Sequence, residues 1–406
     1  MRPLHLPLLA TTALILIASC QAPPPAPQPS LDDFAVELAP GELGLAKLPS
    51  YQAPDFSVGW QQREQLAISI LNSLSYLSAP SSQQYFPYGP ISHERMVASL
   101  ERFLDLLETS ISAEDFGQSI HSEFEVWSSR GRNNTGEVLF TGYCRPILNG
   151  SKQRSGKYKW PLYRLPKDLL KTKDGRILGR INQAGKVVPY WSHRELVEGN
   201  MLDGQEFVWL DDPFDAYIAQ VQGSALIELR DGSFLEAGYA GKNGHDYKSV
   251  GQILIKEGRI SKVDLSLTRL QQYFREHPEE VRRVLPQNPS FVFFQSSEGG
   301  PFGCLGRPVT PMRSVATDKD VFPRAGLVFC EVRLPDYDQD GMLVQRPTRF
   351  FALDQDRGGA IRSPGRCDVF LGTGPEAMAR AGHVLAIGRM YYLVLRDAVA
   401  LTSLSN

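Results

Sequence analysis

Three acidic residues lie close together in the segment 350–374, which reads FFALDQDRGGAIRSPGRCDVFLGTG. Asp354 and Asp356 end one apolar run, and Asp368 precedes a second, Val369-Phe370-Leu371. Two strands joined by a glycine-bearing loop would place Asp356 and Asp368 at neighbouring strand ends. Carboxyl groups that face each other or an apolar wall have their pKa values pushed apart, so one can keep its proton near neutral pH. General-acid cleavage of a glycosidic bond requires that proton.

Aspartates are also common in turns and caps, and for an isolated Asp that structural role is the more frequent one. The residue types alone therefore allow two interpretations of this segment. It is either a pair of turn aspartates or an acid site in a cleft.

The elements around the segment are predicted from hydrophobic spacing. Helices are expected near 66–77 and near 96–107, the second with Ser92 as N-cap, and the interval 113–137 is expected to be loop-rich and poor in helix. Short strands are expected at 138–143, 176–181, 187–191, 206–210 and 216–221. Helices are expected to return at 250–254, 267–274 and 281–285, with strands again from 291 onward.

The chain has 406 residues and a formal net charge of −2. This length can hold two domains with sizeable cores. Because no long basic or acidic run occurs, the sequence does not favour a nucleic-acid partner.

The first twenty residues have the pattern of a secretory signal: Arg2, an apolar run from Leu8 to Ile17, then Ala18-Ser19-Cys20. Cys20 after these small residues resembles a bacterial lipobox, in which the cysteine is acylated and anchors the protein to a membrane. Gln21 next to the cysteine favours the outer membrane. A proline-rich tether follows, beginning QAPPPAPQPS.

Metal sites are not indicated. Cys144, Cys304, Cys330 and Cys367 have no zinc-type spacing, and one or two disulfides of unassigned pairing are compatible with an oxidising compartment. The run Asp336 to Gly341 resembles the start of a calcium loop, but Pro347 stands where an EF-hand needs a glutamate.

Several longer motifs together resemble the lytic murein transglycosylase A family and its C-terminal three-aspartate domain. They are QDRGGAIRSPGRCDVFLGTGPEA, SVATD with VFP and Gly326 after it, VQGS at 221–224, GYAGKNGH at 238–245 and NPSFVFF at 288–294. The similarity extends from about residue 140 to the C-terminus. It departs from the family pattern at Ala225, where a glycine is usual.

The resemblance implies a mainly β protein with packing helices, an α+β fold containing a double-psi β-barrel and a second, inserted β domain. The implied limits are a signal peptide at 1–20, a tether at 21–34, the barrel domain at 35–137 and 246–406, and the insert at 138–245. A groove between the two domains is expected to hold a glycan strand.

The resemblance also implies an enzyme, a lytic transglycosylase that cuts the MurNAc–GlcNAc bond of peptidoglycan and leaves a 1,6-anhydromuramoyl end. Asp368 is the expected acid/base, with Asp356 and Asp318 beside it and no metal or cofactor. The expected substrate-binding residues are Gln222, Gly223, Ser224, Tyr239, Gly241, Lys242, Asn243 and His245.

The expected partners are peptidoglycan strands, a membrane through the lipid anchor alone, and wall-synthesis or wall-remodelling proteins. The expected location is the outer membrane, facing the periplasm. Two alternatives remain from the sequence, a non-catalytic wall-binding protein and a hydrolytic glycosidase.

Overall fold

The computed structural model describes residues 31–34, 38–172, 175–262 and 264–397. The signal segment, Cys20 and most of the expected tether lie outside these ranges. Among the described residues, no helix combines the length and the apolar character needed to cross a membrane.

The α-helices of the described ranges are α1 (Val58–Gln61), α2 (Arg63–Leu77), α3 (His93–Thr109), α4 (Ala113–Glu123), α5 (His193–Glu198), α6 (Pro213–Gln222), α7 (Val250–Lys256), α8 (Leu267–Glu276), α9 (Glu280–Val284) and α10 (Pro375–Ala381). Short 3-10 turns occur at Leu31–Phe34, Ser50–Gln52, Pro80–Tyr85, Arg132–Asn134 and Leu285–Gln287.

The strands are β1 (Leu45–Lys47), β2 (Phe124–Ser129), β3 (Val138–Arg145), β4 (Ile147–Ser151), β5 (Trp160–Tyr163), β6 (Leu170–Lys171), β7 (Ile177–Ile181), β8 (Val187–Val188), β9 (Glu206–Leu210), β10 (Ala225–Leu229), β11 (Phe234–Lys242), β12 (Val292–Ser297), β13 (Ser314–Ala316), β14 (Leu327–Tyr337), β15 (Leu343–Asp356), β16 (Arg366–Thr373) and β17 (Leu385–Leu395).

A closed six-stranded barrel forms the centre of the fold. Its strands pair in the order β17-β14-β15-β13-β16-β3, and β3 pairs back onto β17 to close the ring. The β13–β15 and β16–β3 pairs are parallel, and the other pairs of the ring are antiparallel. This barrel confirms the predicted α+β fold built on a small β-barrel, and closure removes the free edges that an open sheet would expose.

Helices α2, α3 and α4 cover one side of the barrel, and α3 and α4 contribute to an aromatic cluster there. The ring of Phe351 on β15 lies 4.8 Å from that of Phe329 on β14 and 4.9 Å from that of Phe103 on α3. Helix α3 begins at the predicted N-cap, since the Ser92 hydroxyl accepts a hydrogen bond from the Arg95 amide. Its predicted apolar face, including Met96, is buried against this core.

A second sheet has the strand order β12-β11-β10-β4-β9-β5, and β6-β7-β8 form a small third sheet. Helices α6 to α9 share a separate apolar core that includes Phe214, Leu254 and Phe274. The second sheet confirms the predicted second β region. Its strand β12 lies C-terminal to the expected boundary at residue 245.

Two secondary-structure predictions were wrong. The interval 113–137 contains helix α4 and strand β2, because Ser112 caps the helix and Phe116 and Ile120 bury one face of it. The expected strand at 216–221 is helix α6, which starts at Asp212-Pro213 and ends at Gly223 in the left-handed conformation, with φ 78°.

Candidate active site

The pairing register brings Asp356 and Asp368 to the same level of the barrel. Ala316 on β13 pairs with Asp356 on β15 and with Asp368 on β16, and Asp368 pairs in turn with Thr141 on β3. Strand β13 therefore separates the two acidic residues, which were expected on directly neighbouring strands. Two strand spacings put their α-carbons about 10 Å apart. Residues directly opposite one another share a face, so both carboxyl groups lie on one side of the sheet.

A β-bulge in β15 separates Asp354 from Asp356. Val315 pairs with Asp354 and Ala316 with Asp356, so one residue of β15 is extra between them. Since Val315 and Ala316 point to opposite faces, Asp354 and Asp356 do so as well. The extra residue, Gln355, is fully buried and bonds through its amide to Ser73 on α2 and Ser314 on β13.

Three donors hold the carboxylate of Asp356. The Tyr143 hydroxyl donates to its Oδ2 at 2.9 Å, and the amides of Cys304 and Arg357 donate to its Oδ1 at 2.9 and 2.8 Å. Burial raises the pKa of Asp356, while these hydrogen bonds and the charge of Lys319 oppose that rise. This carboxyl group is fixed in position by its neighbours.

The carboxyl group of Asp368 has a different environment. Its Oδ1 is buried and accepts no hydrogen bond from the part of the chain that the structure describes. Burial raises the pKa of Asp368 to about 6; Thr141 and Arg366 act against this rise, and the charge of Asp356 adds to it. Asp368 therefore combines a raised pKa with an oxygen that accepts no hydrogen bond from the described residues, and both properties suit a proton donor.

The third expected acid, Asp318, is tied to the loop between β15 and β16. Its Oδ2 accepts from the Ser363 amide at 3.0 Å, its Oδ1 accepts from the Asp320 amide at 3.2 Å, and Arg362 lies 3.5 Å away. Ser363 adopts a left-handed φ of 75°, which is unusual for a residue other than glycine. These contacts indicate that Asp318 positions the loop that follows Asp356.

A buried ionic cluster next to the site was not predicted from the sequence. Lys319 pairs with Asp354, and both side chains are fully buried. Asp354 also accepts from the hydroxyls of Thr317 at 2.7 Å and Tyr392 at 2.8 Å. Lys319 lies directly after Asp318 in the sequence SVATDKD, but its position in the sequence does not indicate that it pairs with Asp354.

Tyr143 and Thr141 were also missed as site residues. Both lie on β3, which the sequence identified only as a strand, and β3 is distant in sequence from either acid. Their role depends on the parallel pairing of β3 with β16.

Four of the expected substrate-binding residues bond to the protein's own backbone or end a helix. The Gln222 side-chain oxygen accepts from the Cys144 amide at 2.8 Å, and Gly223 ends α6 just before Ser224. Asn243 is 1% exposed and bonds to the backbone of Trp191, Pro289 and Phe291. The His245 ring bonds to the Tyr190 carbonyl at 2.7 Å.

Tyr239, Gly241 and Lys242 lie together near the end of β11. The Tyr239 side chain is 50% exposed, Gly241 is buried and Lys242 is half-buried. The charge of Arg357, the residue after Asp356, acts on both Tyr239 and Lys242. The second sheet therefore approaches the loop 357–365 at these residues.

A cavity of about 390 Å³ lies elsewhere, lined by Gln62, Arg313, Asp336, Phe350 and Arg380 among others. Its lining includes none of the three expected acids. Among the described residues no cluster of three or more His, Cys, Asp or Glu side chains could hold a metal ion, and Cys144, Cys304, Cys330 and Cys367 are unbridged.

Two family models match the chain. Residues 139–295 match the MltA specific insert domain, and residues 313–394 match the 3D domain. A membrane-bound lytic murein transglycosylase A from Escherichia coli K12 is 35% identical over 272 residues, which are 66% of this chain and 69% of that protein. The protein of the same name from Vibrio cholerae is 33% identical over 273 residues, 66% of this chain and 68% of its own length.

Solved structures show the same fold. A crystal structure of E. coli MltA with bound chitohexaose has a TM-score of 0.66 and 27% identity, and the match covers 89% of this chain and 98% of that one. A membrane-bound lytic murein transglycosylase from Agrobacterium tumefaciens has a TM-score of 0.72 at 24% identity, covering 87% of this chain and 98% of that one.

Proposed function

This chain belongs to the membrane-bound lytic murein transglycosylase A family and is a lytic transglycosylase of peptidoglycan, and we propose that it cleaves the β-1,4 bond between MurNAc and GlcNAc with Asp368 as the single acid/base. The product is a 1,6-anhydromuramoyl end. The observation that carries the proposal is the buried carboxyl group of Asp368, whose Oδ1 accepts no hydrogen bond from the described residues and whose pKa is raised to about 6, beside a firmly held Asp356.

In the first step, protonated Asp368 donates its proton to the glycosidic oxygen, and the bond from that oxygen to C1 of the muramic ring breaks. Positive charge develops at C1 and on the ring oxygen. A fixed carboxylate at Asp356, held by Tyr143 and two backbone amides, lies on the same face of the barrel and favours this charge.

In the second step, ionised Asp368 takes the proton of the substrate's own C6 hydroxyl, whose oxygen bonds to C1. This closes the 1,6-anhydro ring and restores the proton on Asp368. Because the nucleophile belongs to the substrate, neither a covalent intermediate nor a second carboxylate for water is needed.

The proposed function includes a binding site for the glycan strand and a lipid anchor. Glycan strands bind where Tyr239 and Lys242 of β11 approach loop 357–365. Gln222, Gly223, Ser224, Gly241, Asn243 and His245 shape the surrounding backbone. The protein is anchored in the outer membrane through acylated Cys20 and faces the periplasm.

An isotope experiment separates this reaction from hydrolysis. Purified peptidoglycan is digested in H₂¹⁸O by the protein lacking residues 1–20, and the muropeptides are analysed by mass. The proposal predicts anhydro ends, one water lighter than reducing ends, without ¹⁸O. Reducing ends that carry ¹⁸O would instead support a hydrolytic glycosidase and overturn the transglycosylase mechanism.

A further inference from the structure

Basic side chains gather on both sides of the place where the second sheet approaches the loop 357–365. Lys242 ends β11, and Arg357 and Arg362 belong to the loop. Lys171 of β6 is adjacent, since its ammonium lies 3.0 Å from the position that a Cβ atom on Gly241 would occupy. We call Lys171, Lys242, Arg357 and Arg362 the basic cluster.

The two arginines of the basic cluster act on Lys242. Burial lowers the pKa of Lys242, and the positive charges of Arg362 and Arg357 lower it further, while Asp246 opposes them. Like charges that are brought together in a folded protein cost free energy unless an anion lies among them.

Protein carboxylates neutralise only part of this charge. Arg362 lies 3.5 Å from Asp318 and 3.9 Å from Asp320. Within the described ranges, Lys242, Arg357 and Lys171 have no carboxylate at ion-pair distance. Half-buried Lys242 and exposed Arg357 and Lys171 are therefore available to an anionic ligand.

The cluster lies next to the reacting groups. The amide of Arg357 donates to Asp356, and Ser363, which follows Arg362, donates to Asp318. An extended arginine or lysine side chain spans the width of about one sugar ring. Whatever the cluster binds must therefore belong to the one or two sugars nearest the bond that is cut.

The charges of peptidoglycan decide which group fits. Its two sugars are uncharged once the lactyl carboxyl of MurNAc is joined to a peptide, so the nearby negative charges are the carboxylates of the peptide stem. We propose that the basic cluster binds stem-peptide carboxylates on the MurNAc at the cleavage site, so that the enzyme favours peptide-bearing glycan over bare glycan. This inference rests on the proposed function.

Charge neutralisation of the substrate tests the inference. Intact peptidoglycan is compared with the same material after carbodiimide coupling of its carboxylates to an amine, which keeps the polymer and removes the charge. The proteins are wild type, Lys242→Gln, Arg357→Gln and the double variant. Arg346→Gln is the matched control, because Arg346 is exposed and lies ten residues before Asp356 on β15, about 33 Å along the strand.

We expect the double variant to lose roughly tenfold in kcat/KM on intact peptidoglycan, chiefly through KM, because a charge-assisted contact would be lost. The ratio of wild type to variant should approach one on neutralised peptidoglycan, and Arg346→Gln should match wild type on both. Because Arg357 is exposed, Arg357→Gln should fold normally, and its kcat/KM tests the inference even if Lys242→Gln impairs folding.

A third substrate identifies the source of the carboxylate. Amidase-treated strands keep only the lactyl carboxylate, and the inference predicts that wild type treats them like the neutralised polymer. A full variant effect on these strands would assign the cluster to the lactyl group and overturn the stem-peptide assignment. If the double variant lost the same factor in kcat/KM on intact and neutralised peptidoglycan, or lost nothing on either, the inference would be overturned. Anhydro products from wild type would still support the proposed function in that case. Absence of anhydro products from wild type would overturn both.

Discussion

Two carboxyl groups on one face of the barrel have unequal surroundings. Asp356 accepts three hydrogen bonds, whereas Oδ1 of Asp368 accepts none from the described residues. The same residue type is therefore held by three donors at one position and has a raised pKa and a free oxygen at the other. Their titrations are linked, because the charge of Asp356 raises the pKa of Asp368.

Burial of Asp368 should reduce the stability of the fold at neutral pH. Its pKa is raised from 3.8 to about 6, so the stability that the neutral form provides is complete below about pH 3.8 and is lost as pH rises through 6. Asp368→Asn, which cannot ionise, should raise the free energy of unfolding at pH 7.5 by up to about 3 kcal/mol and by much less at pH 4.5. Urea denaturation at the two pH values measures this, and an equal effect at both would contradict it.

Tyr143→Phe should change the pH dependence of the reaction. The hydroxyl of Tyr143 lowers the pKa of Asp356, so its loss favours protonated Asp356 and removes negative charge near Asp368. The pKa of Asp368 should then fall, and activity should be lost at a lower pH, with kcat reduced roughly tenfold. The pH–rate profile is the measurement, and Tyr337→Phe in the β14–β15 hairpin is the control. A change in KM alone would count against this role.

At the residue scale, the motif around Asp368 and the SVATD motif predicted the three acids, but not their partners. Tyr143 contacts Asp356 only because β3 lies parallel to β16, and no local pattern around Tyr143 indicates that pairing. The assigned roles of Asp318, Asp356 and Asp368 remain predictions for experiment.

At the scale of the secondary-structure element, a β-bulge in strand β15 determines where Asp354 and Asp356 point. The bulge at Gln355 directs Asp354 to Lys319 and places Asp356 on the opposite face of β15. Strand alternation by itself would have put both acids on one face. The sequence shows the two aspartates but not the extra residue, because the bulge follows from the pairing with β13.

The Lys319–Asp354 pair should contribute strongly to stability. Lys319→Met leaves a buried carboxylate without its cation and should cost about 3–5 kcal/mol in the free energy of unfolding. Adding Asp354→Asn to the same protein should recover part of that loss, because the unpaired charge is removed. Urea denaturation of the single and double variants measures both effects. A loss below about 1 kcal/mol for Lys319→Met would show that the pair is not important for stability.

Helix α6 and strand β2 show why some elements were not predicted. The short apolar run at 216–221 favoured a strand, whereas the Asp-Pro start and the glycine end favour a helix. Helices α2 and α3 were predicted correctly because their apolar residues recur at helical spacing, and α3 also begins at the predicted Ser92 cap.

At the scale of the whole molecule, the closed barrel and the second sheet follow from pairings that are remote in sequence. The expected domain limits remain a prediction; because β12 pairs with β11, we propose that the insert extends to residue 297. The family motifs indicated this architecture, whereas composition and spacing alone indicated only a strand-rich α+β protein.

The lipid anchor is a prediction for the whole molecule. Cys20→Ser removes the acylation site and should move the protein from the membrane fraction to the periplasmic fraction, because the acyl chains supply the membrane affinity. Fractionation with mass analysis of the N-terminal peptide checks this. Membrane retention of Cys20→Ser, or an unacylated wild-type peptide, would contradict the anchor.

The most direct measurement is the release of anhydromuropeptides by Asp368→Asn beside wild type and Asp356→Asn, from pH 4.5 to 8. Wild type should lose activity as pH rises through about 6, because the acid must carry its proton. Asp368→Asn should release at least about a thousandfold less at every pH, and Asp356→Asn should keep measurable activity with a changed profile. Anhydro products released by Asp368→Asn at a rate near that of wild type would contradict the assignment of Asp368 as the acid.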